Sequence, residues 1–369
     1  MNINFHYFAI KVLARTAGFD EKDAQLISEY SQFVDDFHPF LEEPTDCYNV
    51  PKCAKFLCKE IYDRKLERFV KKFVPVNTGF SGVDYVLLIS QSVQENTVIP
   101  FHFIPTEQLN HINGNEENGG DRRNYRAKRF DNTPSLLKSL LNYIAYLYQL
   151  KSRSSMSLIR LGIILHIFAD TYAHQNFSGY RGWENDSKIT RVIDNITNED
   201  VTSKYRRRIT DNLPSIGHAN VSTILDESKL SFTINLKVSN DDTSYGEVYT
   251  RNNTTEFLLA ARYILNYLRR CKGKTPISDE DWSALEQNLR QAFLTSNKKV
   301  ESLIVHWSNI FNNVEFYYDE NKLKEPLDNY FDFNVSAYEI KEIILGNRGI
   351  PPQISYINFS TAPISDLLS

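Results

Sequence analysis

The sequence predicts a mainly helical protein with one small β-hairpin. Three observations carry that prediction: apolar residues recur at helical spacing through most of the first two-thirds, a single stretch alternates at period two, and helical spacing then resumes. The 369 residues are 41% hydrophobic and 24% charged, a globular balance that excludes a disordered or collagen-like chain. The net charge of −4 argues against a dedicated nucleic-acid coat protein, while leaving room for local basic patches. No run of about 18 uninterrupted apolar residues points to a membrane span.

The elements follow in order. Phe5, Phe8, Ile10, Val12 and Leu13 give a short amphipathic segment around His6. Asp20 reads as an N-cap for a helix with Leu26, Ile27, Tyr30, Phe33 and Val34 on one face, ending near Asp35 and Asp36 before Pro39. Thr133-Pro134 opens a helix striped by Leu136, Leu137, Leu140, Leu141, Ile144, Leu147 and Tyr148. Another helix, from Ser154 or Ser155 to about His174, is apolar nearly all round, so it should be central and buried. Residues 228–251 alternate through Leu230, Phe232, Ile234 and Leu236, turn near Asn240-Asp241-Asp242, and resume at Val248-Tyr249. Helices are expected again over 254–271, 278–297 and 299–312. The division expected is a helical domain over 1–272 and a helical extension over 273–369 packed on it.

The central helix carries His166, Asp170 and His174 at steps of four, which sets two imidazoles and a carboxylate on one face. Burying such groups is costly unless they are paired or coordinate a metal, and this donor set suits zinc. Other histidines stand in informative places: His102 in Pro-Phe-His-Phe-Ile-Pro, and His218 in a turn after Pro214 and Gly217, with Asp226 eight residues on. His38, His111 and His306 read as ordinary surface or core residues. Cys47, Cys53, Cys58 and Cys271 lack the close pairing of zinc knuckles and read as reduced or incidental thiols rather than a disulfide or metal set.

In the order His6, Asp35-Asp36, Phe101-His102-Phe103, Leu161 to His174 and His218, the chain resembles the zinc-dependent phospholipase C and single-strand nuclease superfamily. Asn2 to Tyr7, Val34-Asp35-Asp36, His174 to Gly179 and Gly217-His218-Ala219 are more similar still to an uncharacterised bacterial family of that fold. The resemblance covers about residues 1–270 and implies a phospholipase C/nuclease-like helical bundle. It implies a site of two or three Zn2+ or other divalent ions. His166, His102, Asp170 and one of Asp35 or Asp36 would hold the first, Asp170 would bridge to a second that also takes His6, and His174, His218 and a carboxylate the last. Asp35 and Asp36 would be the carboxylates of the reacting centre, and the Met1 amine, five residues before His6, a further ligand.

Two departures stand out: His174 follows Asp170 by four residues where the phospholipases and nucleases have six, and Ser222 stands where the superfamily has Asp or Glu. Asp226 is the expected replacement. The implied reaction is attack of a metal-activated hydroxide on the phosphorus of a phospholipid or nucleic-acid phosphodiester. The alternatives are a nuclease on the same scaffold and a non-catalytic metal-stabilised binding protein. Basic clusters at Arg122–Arg129 and Lys204–Arg208 could meet nucleic-acid phosphates or an anionic membrane. With no signal sequence visible, a cytoplasmic chain is the default expectation, with signal-independent export as an effector as the other route.

Overall fold

The computed structural model describes residues 1–39, 45–64, 66–79, 87–111, 123–130, 135–150, 154–206, 215–240, 245–324 and 327–350. It is mainly helical. A π-helical turn over Asn4–Ala9 runs into α1 (Ile10–Ala17), which Gly18 ends in a left-handed conformation at φ 99°. Helix α2 (Glu21–Asp36) starts where expected, the Asp20 carboxylate accepting from the Asp23 N–H at 2.8 Å. A three-stranded antiparallel sheet follows, of β1 (Thr45–Asp46), β2 (Cys58–Asp63) and β3 (Arg68–Phe73) in the order β1-β3-β2. Three helical pieces then lead to His102: α3 (Gln91–Val93), a second π-helical turn over Gln94–Val98, and α4 (Ile99–His102).

Helix α5 (Ser135–Leu150) and α6 (Ser155–Ala173) match the expected pair, with the Ser154 hydroxyl capping α6 through the Ser157 N–H at 3.3 Å. The proposed Thr133-Pro134 cap lies outside the described residues. Helix α6 is long and apolar enough to cross a membrane, yet it is the buried axis of the fold. It packs against α2, α5, α8 (Asn253–Cys271) and α11 (Leu327–Leu345). Gly162 allows the close approach to α2, since a Cβ there would stand 2.6 Å from the Ile27 carbonyl oxygen and 3.0 Å from the Ser31 nitrogen.

The expected hairpin is present as β6 (Leu230–Leu236) and β7 (Glu247–Asn252), but it is part of a larger sheet. Strands β4 (Ser187–Asp194) and β5 (Glu199–Asp200) complete the order β5-β4-β6-β7, with the short α7 (Thr202–Tyr205) beside them. A bulge between Ile189 and Arg191 breaks the alternation of β4, which is why period two does not reveal it. The Asp241-Asp242 turn lies outside the described residues.

Helices α9 (Asp279–Phe293) and α10 (Val300–Ile310) precede α11. Their apolar faces enter the same hydrophobic core as the first helices. Phe8 stacks on Trp307 at 5.5 Å, the Trp307 indole N–H donates to Asn4 Oδ1 at 3.1 Å, and Phe333 packs on Tyr30, Phe33 and Phe37. Trp307 is wholly buried, and cutting it to Ala should cost about 3–5 kcal/mol. One expectation is corrected in the first sheet: Cys47 and Cys58 form a disulfide, their Cα atoms brought to 6.2 Å, leaving Cys53 exposed and Cys271 buried as thiols.

Candidate metal centre

Three donor groups line up along the C-terminal half of α6, and in each the ligand atoms lie within 4.8 Å of one another: His6, His166 and Asp170; Asp35, His102 and His166; His174, His218 and Asp226. The four-residue steps of α6 supply the axis. His166 Nε2 lies 3.2 Å and His174 Nδ1 3.6 Å from Asp170 Oδ2. His174 is the C-cap residue of α6, its N–H donating to the Asp170 carbonyl, so it leaves the helix where its ring can turn toward Asp226. Arg251 fixes that end by donating to the Tyr172 and Ala173 carbonyls at 2.8 and 2.7 Å.

Four of the five histidines are held by a backbone carbonyl. His166 Nδ1–H donates to Ser31 O at 2.9 Å, His102 Nε2–H to Thr78 O at 2.8 Å, His174 Nδ1–H to His102 O at 2.7 Å, and His218 Nδ1–H to Ser222 O at 2.9 Å. Each such bond selects the tautomer and aims a ring face, the arrangement that metal-ligating histidines use. For His166, His102 and His218 the remaining nitrogen faces a carboxylate: His166 Nε2 and His102 Nδ1 at 3.2 Å from Asp170 Oδ2, and His218 Nε2 at 3.5 Å from Asp226 Oδ2. His174 Nε2 lies 3.2 Å from Asp226 Oδ1.

His6 is the exception. It is fully buried, neither ring nitrogen makes a hydrogen bond, and Nε2 lies 3.2 Å from Asp170 Oδ1. An imidazole buried without a hydrogen bond beside a carboxylate is what a ligand to a cation would look like, so the residues present fit a metal. The Met1 amine sits within the same cluster, on Asp170 Oδ1 and 3.3 Å from Asp226 Oδ1.

The electrostatics agree with a cation site. Burial holds the His166 and His218 rings down to about 4, and His6 well below its usual value, so all three are neutral at pH 7. Burial would raise Asp170 and Asp226, but it is overcome by His174, the Met1 amine and the other rings at Asp170, and by the Met1 amine, His218 and His174 at Asp226. Both are held below the carboxylate range. Burial pushes Asp35 up to about 8 against the pull of His102, with Asp170 adding to the rise. Burial also lowers His102, but Asp170 and Asp35 raise it on balance.

Asp36 stands apart from the three donor groups. Its carboxylate accepts from the Tyr318 hydroxyl and from Gln32 Nε2 at 3.1 Å, and burial lifts it to about 6. Ser222 contributes its carbonyl to His218 and adopts φ 55°, ψ −143°, a backbone region that favours glycine. Thr78, Arg251 and Tyr318 escaped sequence reasoning. A carbonyl partner leaves no mark on residue type, and the two side chains act from distant elements. His38 lies beside Gly79, His306 donates to Ala292 O at 3.1 Å, and neither joins a donor group; the His111 side chain is outside the described residues.

A cavity of approximately 520 Å³ opens beside the donors Met1, Asp35 and Asp226. The C-terminal third forms part of its wall through Thr295 to Lys298, Val300, Leu303, Tyr318 and Glu320. The basic clusters are partly committed elsewhere: buried Arg126 donates to Glu184 O at 2.5 Å, Arg129 pairs with Glu256 at 3.2 Å, and Arg206 donates to Ile189 O and Thr190 O.

A profile of the family of unknown function DUF6765 matches residues 1–348. The chain belongs to the DUF6765 family. No curated protein and no solved structure matches it. All donors of this DUF6765 chain, and the whole cavity wall, fall inside the matched residues.

Proposed function

We propose that this chain is a metal-dependent phosphodiester hydrolase of phospholipase C type, using two or three zinc or other divalent ions on a phospholipase C/nuclease-like helical bundle. The convergence of eight His and Asp side chains and the Met1 amine beside one cavity supports this reading most directly. Bound divalent ions would bring the ionisation of a water into the neutral range and neutralise phosphodiester charge.

The chain's own residues do the rest. Asp170 joins the His6 group to His102 and His174, and Asp35 faces both His102 and His166 at 3.7 Å. Asp36 holds Tyr318 on the cavity wall. The wall carries the polar side chains Ser228, Thr295, Ser296 and Asn297 beside Lys229 and Lys298, on a lining that is mostly apolar. Among the described residues Tyr318 is its one aromatic side chain, so the wall suits a compact headgroup better than a string of stacked bases. Access from the cavity to Asp35 and Asp226 favours a reacting centre over a closed structural one.

Metal analysis of the purified chain should find at least one equivalent of metal, lost in His166→Ala and Asp170→Ala. Phospholipid, bis-p-nitrophenyl phosphate and single-stranded DNA should be assayed in parallel. Turnover of phospholipid above DNA is expected; DNA cleavage alone would replace the reading by a nuclease, and metal without turnover by a binding protein. Less than one equivalent would overturn it altogether.

A further inference from the structure

Exposed apolar side chains are unevenly distributed. Of thirteen large ones among the described residues, five lie between 48 and 69: Tyr48, Phe56, Tyr62, Leu66 and Phe69. Singly such residues need no explanation, but a group marks a contact surface. Tyr62 pairs across the β2–β3 hairpin with Phe69, ring centroids 5.4 Å apart, and the two are 51% and 68% exposed. Leu66, in the turn, is 53% exposed.

Charge surrounds this tip. Residues 45–73 hold eight Lys or Arg against four Asp or Glu, +4 in a chain of net −4. Lys72 pairs with Asp46 at 2.8 Å, whereas Lys52, Lys55, Lys59, Arg64, Arg68 and Lys71 are all exposed. The base of the hairpin is anchored, Phe73 being buried against Phe331 at 5.1 Å and Cys58 tied to Cys47.

We propose that the β2–β3 hairpin docks this chain on an anionic membrane surface. Tyr62, Leu66 and Phe69 enter the headgroup layer, where amphipathic rings settle, and the basic side chains around them meet acidic headgroups. Each basic residue near such a surface strengthens binding roughly fivefold. A nucleic acid fits less well, because the two rings meet edge-to-face at 69° and Leu66 offers no π-face for a base. A second copy would bring another +4 against this one. The inference stands apart from the hydrolase reading, since docking requires neither metal nor turnover.

The full chain should be sedimented with vesicles of phosphatidylcholine alone and with about one-third phosphatidylglycerol added, in about 0.1 M and about 1 M salt. Binding to the anionic vesicles only, weakened at least tenfold by salt, is expected. Tyr62→Ser/Phe69→Ser and Lys59→Glu/Lys71→Glu should each reduce it at least tenfold while circular dichroism and metal content stay at wild-type values. Equal binding to both vesicle types, wild-type binding by both folded variants, tighter binding to a single-stranded oligonucleotide, or a dimer that the aromatic variant dissociates would overturn the proposal.

Discussion

Gly162→Ala tests the link between helix packing and the proposed metal centre. The new Cβ would stand 2.6 Å from the Ile27 carbonyl oxygen, against the 3.4 Å at which such contacts become ordinary. Both partners are backbone, so no side chain can swing aside, and α2 and α6 must part by about 0.8 Å. Ser31, whose nitrogen is 3.0 Å from the same Cβ, moves with α2. Its carbonyl now accepts from His166 Nδ1 at 2.9 Å; the same displacement would stretch that bond to about 3.7 Å, beyond hydrogen-bond range. Overpacking of this kind costs about 1–3 kcal/mol, and loss of a partner behind a ligating histidine lowers metal affinity about 10–100-fold. Competition with a chromophoric zinc chelator and thermal unfolding read the two effects separately. Gly349→Ala is the control, because a Cβ there meets nothing within 4 Å. Wild-type zinc affinity and melting temperature in Gly162→Ala would refute the reasoning.

Three further outcomes are expected. Asp35, lifted to about 8, carries a proton at pH 7 that a cation must displace, so metal binding should strengthen as pH rises toward 8; calorimetry in two buffers should find roughly one more proton released by wild type than by Asp35→Asn. Equal release by the two would remove Asp35 from the ligand set. Ser222→Gly relieves a backbone strain of about 1–3 kcal/mol and, after the added freedom of the unfolded chain, should raise stability by about 1 kcal/mol in denaturant melts, whereas Ser222→Ala should not. Thiol titration should find one reactive group in the folded chain, Cys53, and a second, Cys271, only after unfolding without reductant; three or more would contradict the Cys47–Cys58 bond.

What could be read in advance was whatever depends on spacing along one element. The stripe of His166, Asp170 and His174 and the Asp20 cap are local patterns, and their geometry follows from the helical period. The companions of that stripe converge from separate elements; local context marked His6, His102, His218 and Asp226 one by one, and the superfamily resemblance joined them into one site. Strand β4 was hidden by its bulge. Strands β2 and β3 were hidden because Lys59, Glu60, Arg68 and Lys71 fill places where alternation would put apolar residues. Cys47 and Cys58 are joined by that unseen sheet, which explains why spacing alone read them as unrelated thiols.

The packing of residues 4–8 against residues 307–317 bears on how the protein is made. Tyr7 donates to the carbonyl of Tyr317, 310 residues away, and Asn4 accepts from Trp307, 303 away. Synthesis runs from the N-terminal side, so His6 leaves the ribosome well before Trp307, whose ring seats its helical turn. Contacts of such separation close late and slowly. His6, the histidine without a carbonyl brace, therefore reaches its place only once the chain through Trp307 is out, so a metal held by these donor groups would finish folding rather than start it.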